Sequence, residues 1–166
     1  MKLLLSALVL ANVAYASDSA KIKKIHGEIC NFAKSCEVNK VTKGKNALDI
    51  VKEFALTVGE ADADVEVVAS GDSSPSIDDV VYGTLSMKGA MNHVDDIVAW
   101  ETVLSEAQGK AIKAKIYNLR GTGVEFGYTP NRGGSVCGTV IPSLLMIDVP
   151  TKTVYEVSLF GYGECK

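Results

Sequence analysis

Two histidines and four cysteines are the side chains in this 166-residue sequence best suited to nucleophilic or metal chemistry. His93 precedes Asp95 and Asp96, and an imidazole beside a carboxylate has the composition of a general base. A small secreted hydrolase using His93 with a neighbouring carboxylate is therefore the catalytic alternative. No Gly-x-Ser-x-Gly elbow and no His-Glu-x-x-His pair accompanies it, so no catalytic residue is assigned. The cysteines, Cys30, Cys36, Cys137 and Cys165, are even in number, the pattern of disulfides in an exported chain. A metal site is disfavoured, because His26 and His93 lie far in sequence from the C-terminal cysteines and no Cys-x-x-Cys pair occurs. Neither a metal nor any other cofactor is expected.

Recognition chemistry is concentrated in one stretch. Tyr128, Asn131 and Arg132 bring an aromatic ring, an amide and a guanidinium together around a turn-rich segment that ends in Gly133-Gly134, and such loops on rigid hairpins are common contact surfaces. These three residues are the candidate binding site. The alternating acids Glu60, Asp62, Asp64 and Glu66 lack the glycine and final glutamate of a calcium loop and read as a solvated strand. Gly121, Gly123 and Gly127 follow a predicted strand, but a further strand rather than a helix comes after them, which excludes a dinucleotide fingerprint.

The C-terminal stretch from Ser135 to Lys166 reads as a long hairpin with Pro150-Thr151-Lys152 at its turn. With those three residues as the loop, Val149 faces Thr153 and Cys137 faces Cys165, which predicts one disulfide and leaves Cys30 with Cys36. On a continuous helix the latter pair would stand about 9 Å apart, too far to bond. Either the helix there ends near Lys34 and the chain doubles back, or these cysteines bond elsewhere.

Residues 1–16 carry Lys2, an apolar run from Leu3 to Val13 and a small-x-small site, Ala14-Tyr15-Ala16, and are read as a secretory signal peptide. The mature chain then begins at Ser17, and residues 17–166 form a single disulfide-stapled α+β domain, secreted and extracellular, with no membrane span. Charge is segregated. Residues 17–53 carry a net +3, residues 54–109 a net −10 and residues 110–166 a net +3, which suits complementary packing between segments. Basic residues are too sparse for nucleic acid. The expected partner is an extracellular protein or glycan.

Positioning these groups requires three helices and about six strands. Helices are predicted from Lys21 to Cys36, from Ala47 to Val58 behind an Asn46 cap, and from Val94 to Ala107 behind an Asn92 cap. Strands are predicted near Asp64 to Ala69, from Val80 to Met87 with a bulge at Gly83, from Lys110 to Leu119, from Thr122 to Tyr128, and in the two arms of the hairpin. The architecture is α+β: an antiparallel sheet with three helices packed on one face, closed by the C-terminal β-hairpin. The function expected is binding of an extracellular partner, as an effector, toxin or inhibitor does. A carrier of an apolar ligand between sheet and helices is a further alternative.

Overall fold

The computed structural model describes residues 17–59, 66–69, 72, 81–99, 104–129, 135–136, 139–140 and 142–159. Asp18 starts the first helix by accepting the Lys21 amide at 3.0 Å, and α1 (Ser19–Cys30) buries Ile22, Ile25, His26 and Ile29 along one stripe. It stops six residues before the predicted end. A short turn, closed by the Phe32 amide on the Ile29 carbonyl at 2.9 Å, sends the chain back as β1 (Ser35–Lys40). That reversal resolves the distance problem, since the Cα atoms of Cys30 and Cys36 are 6.0 Å apart and the two are disulfide-bonded. Sequence reading missed β1 because it is an edge strand with no fully buried position, so it shows no apolar alternation.

Helix α2 (Ala47–Thr57) follows its local signals closely. The Asn46 side chain accepts the Asp49 amide at 2.9 Å, and Gly59 takes a φ of +74° just past the end. β2 (Glu66–Ala69) and β3 (Val81–Leu85) come next, and β3 is not bulged: Gly83 pairs in regular register with Val68 on one side and Tyr128 on the other. α3 (Met87–Ala99) begins seven residues before the predicted start, because Ser86 rather than Asn92 caps it, accepting the Gly89 amide at 3.0 Å.

The largest correction concerns Lys110 to Leu119, predicted as a strand and observed within α4 (Glu106–Asn118) and its C-cap. Alternation of Lys with Ala and Ile fits a half-buried strand, but Ile112, Ile116 and Leu119 also fall on one helical stripe and are buried there. The capping box decides the outcome, with Ser105 and Gln108 each satisfying the other's backbone amide. Gly109 sits within α4, where a Cβ would come within 2.4 Å of Val98 Cγ2. The glycine thus allows α3 and α4 to approach closely.

β4 (Glu125–Thr129), the short strands β5 (Ser135–Val136) and β6 (Thr139–Val140), and then β7 (Ser143–Asp148) and β8 (Thr153–Ser158) complete the chain. Six strands form one sheet in the order β1-β8-β7-β4-β3-β2, antiparallel throughout except for the parallel pair β2 and β3, while β5 and β6 pair separately. The long hairpin predicted from Ser135 is therefore broken in its first arm, and the main hairpin arm starts at Ser143. Its register also differs by one residue, because Asp148 rather than Val149 faces the Thr153 position. The turn takes four residues: Lys152 N–H donates to Val149 C=O at 3.1 Å with Pro150 at the second position, and Lys152 holds a φ of +53°. The predicted pairing of Cys137 with Cys165 rested on the other register, and both cysteines lie outside the described residues.

The prediction of helices on one face is corrected as well. Along β7, Leu144 and Met146 point into a core shared with α1, α3 and α4, while Leu145 and Ile147 point into a second core under α2. Helices cover both faces.

Two glycine substitutions test this packing. A Cβ on Gly127 would stand 2.8 Å from the Gly83 carbonyl oxygen of the adjacent strand, whereas one on exposed Gly27 in α1 would meet nothing within 4 Å. Gly127→Ala should lower the unfolding free energy by about 1–3 kcal/mol, and Gly27→Ala should raise it by up to about 1 kcal/mol. Urea denaturation measures both, and equal effects of the two variants would refute the close approach of β3 and β4.

Candidate functional site

Of the three residues proposed for recognition, only Tyr128 lies among the described residues. Tyr128 is not on a loop: it lies in β4 at 1 % exposure, packed in the core shared by α1, α3 and α4. Strand alternation explains the difference, since Phe126 and Tyr128 share one face of β4 and that face is covered. Asn131 and Arg132 lie outside the described residues. Thr129, the last residue of β4, faces the α2 side, where Ser143 and Ser158 share a hydroxyl contact of 3.3 Å and all three are buried. A polar corner of the sheet thus immediately precedes the Arg132 segment.

His26 and the disulfide form one buried node. The imidazole Nε2 is 3.1 Å from the Glu156 carbonyl oxygen and 3.5 Å from Cys30 Sγ. Because a carbonyl only accepts, Nε2 carries the proton and donates. Tyr155 packs against the ring at 5.2 Å between centroids. Burial lowers the His26 pKa below the ordinary histidine value, and the bond to Glu156 opposes that shift only in part. The imidazole and the two sulfurs lie within 4.8 Å of one another, the ligand set of a soft cation once the cysteines are reduced. With the disulfide formed, the thiolates such an ion needs are absent.

His93 is 3 % exposed on α3. Its ring hydrogen-bonds the backbone of Pro142, which has no N–H, so the ring donates and the carbonyl accepts. Nε2 has no hydrogen-bond partner among the described residues. Burial lowers the His93 pKa, against the opposing pull of the Asp96 charge and the Pro142 bond. Asp95, the other predicted partner carboxylate, is engaged by Lys113 of α4.

A third cluster was not foreseen. Asp148, at 0 % exposure, ends β7 on the α1 side of the sheet. Its Oδ2 accepts from the Ser19 hydroxyl at 2.5 Å and from the Thr151 hydroxyl at 2.7 Å, and Thr151 in turn contacts the Thr153 hydroxyl at 2.9 Å. Ser17 joins through its own hydroxyl, 3.0 Å from that of Ser19. Burial by itself would raise the Asp148 pKa, but the hydroxyls of Ser17, Ser19 and Thr151 outweigh it and hold the carboxyl below the usual aspartate value. The signal in the sequence was a lone acid at the end of the apolar run Leu144 to Ile147.

No family model, curated protein or solved structure matches this chain.

The histidines generate a pH prediction. Both have folded pKa values below the unfolded value of about 6.5, so between the two values the unfolded chain binds more protons, and stability is lost as pH falls below about 6.5. The urea midpoint should drop between pH 7.0 and 5.5, and the drop should be shallower in His93→Gln. A midpoint that stays flat over this interval would contradict the neutral buried state of both rings.

Proposed function

We propose that the chain is exported and acts by binding an extracellular partner, with the Arg132 loop as its contact surface. The observation that supports binding over hydrolysis is the placement of the groups suited to acid–base chemistry. His26 donates to a backbone carbonyl beside the disulfide, His93 donates to another carbonyl inside the core, and Asp148 is occupied by hydroxyls. A general base has to reach the proton it abstracts, and a 3 % exposed imidazole in a packed helix offers little access. The disulfide Cys30–Cys36 is compatible with an oxidising compartment, and no described helix is long and apolar enough to cross a membrane.

Arg132 is the residue on which this reading is tested. A guanidinium on a loop contributes little to folding but is a frequent anchor of protein contacts. In crosslinking of the exported protein within its native extracellular medium, Arg132→Ala should weaken a specific adduct about tenfold or more, with the melting temperature unchanged within about 1 °C. Parallel loss of binding and stability would make Arg132 structural and place the contact surface elsewhere. Unaltered binding would remove the loop from the interface.

A further inference from the structure

Asp148 is a fully buried carboxylate for which no described cation forms an ion pair, an arrangement that proteins seldom maintain because an uncompensated buried charge is costly. One of its oxygens is satisfied by Ser19 and Thr151, while Oδ1 has no hydrogen-bond partner among the described residues. The segment beside it is fixed. The Asp18 amide donates to the Thr122 carbonyl at 3.0 Å, the Ser17 hydroxyl contacts that of Ser19 at 3.0 Å, and Gly123 lies against the Ser17 backbone, where a Cβ would be 3.7 Å from Ser17 Cα. The α-nitrogen of Ser17 is three bonds of about 1.5 Å from its own hydroxyl oxygen, and so within about 4 Å of it.

We infer that cleavage between Ala16 and Ser17 creates the missing partner: the new α-ammonium of Ser17 pairs with Asp148 and locks the amino terminus between α1 and the β7–β8 turn. This rests on the export reading, which places the mature terminus at Ser17. Before cleavage that nitrogen is a neutral amide with a single N–H. Hydrolysis of the Ala16–Ser17 peptide bond consumes one water and leaves a carboxylate on Ala16 and an amine on Ser17, which is protonated at neutral pH. The ammonium offers three donors to a carboxylate with one oxygen still open. Maturation is thereby coupled to folding, because among the described residues the buried carboxylate has hydroxyl partners but no cation, and cleavage supplies one. The carboxylate-holding hydroxyls, Ser17 and Ser19, come from the same few residues that cleavage exposes.

The test is a stability cycle on protein exported from the full-length chain. One glycine inserted between Ala16 and Ser17 displaces the ammonium by a residue while leaving the Ser17 side chain in place, and Asp148→Asn removes the charge it would meet. With Asp148 present, the insertion should lower the melting temperature by on the order of 5–10 °C; in the Asp148→Asn background it should change it by less than about 2 °C. Should Asp148→Asn not fold, the rate of α-amine acylation replaces the second arm. It is expected to be at least about tenfold slower in the native exported protein than in the denatured one, as a buried ion pair requires. Equal insertion penalties in both backgrounds, no penalty in either, or an α-amine that reacts equally fast in both states would overturn the pairing. Amino-terminal sequencing distinguishes that result from failure of the export reading: a mature terminus other than Ser17 overturns cleavage at Ala16 and this inference with it.

Discussion

The constraint on which this structure depends is that β7 is buried at all six of its positions. Strand alternation sends Leu144 and Met146 to one face and Leu145 and Ile147 to the other, so both faces need an apolar cover. Burying these four side chains contributes about 6–12 kcal/mol as a gross upper estimate. Neither face can be left open without forfeiting about half of that. The division of helices follows: α2 supplies Ile50, Val51 and Phe54 to one core, and α1, α3 and α4 supply isoleucines, valines and Leu119 to the other.

The same strand explains where the polar groups lie. Its apolar centre is bounded by Ser143 at one end and Asp148 at the other, and each faces a different side of the sheet. Both use hydroxyl partners, Ser158 for the first and Ser19 with Thr151 for the second. A hydroxyl can donate to an acceptor or receive from a donor without bringing a second charge into the core, which suits positions where the cost of burial is already high. α1 then spans its face as a strap fastened along its length, by Asp18 on Thr122, Ser19 on Asp148, His26 on Glu156, and Cys30 on Cys36. The partly exposed pair of Glu28 with Lys115 adds a tie to α4, and in solvent it is the weakest of these.

What could be read from the sequence divides along the distance over which the deciding interaction acts. α2 was legible because its cap, its stripe and its terminal glycine fall within fourteen residues, Asn46 to Gly59. The 110–119 segment was misread because two periodicities fit it equally, and the capping box that separates them begins five residues upstream at Ser105. β1 carried no apolar pattern because it occupies the sheet edge and draws its pairing wholly from β8. The turn of the hairpin was located but its first arm starts at Ser143 and its register is shifted by one residue, since whether Val149 belongs to the strand or the turn depends on the Lys152 backbone adopting positive φ.

The unforeseen clusters share a further property: each joins groups more than a hundred residues apart, 130 between His26 and Glu156 and 129 between Ser19 and Asp148. No local spacing rule reports such pairs. What the sequence does show is the anomaly that each one resolves, a histidine on the apolar stripe of α1 and an acid at the end of an apolar strand. A polar residue within a pattern that otherwise demands burial has to find a partner, and in a sheet covered on both faces that partner comes from whichever element crosses above it. For both residues the two sides of the contact are α1 and the β7–β8 hairpin. The closing of α1 over that hairpin is therefore the step in which His26 and Asp148 Oδ2 gain these partners together, and any process that frees or repositions the start of α1 acts on that step directly.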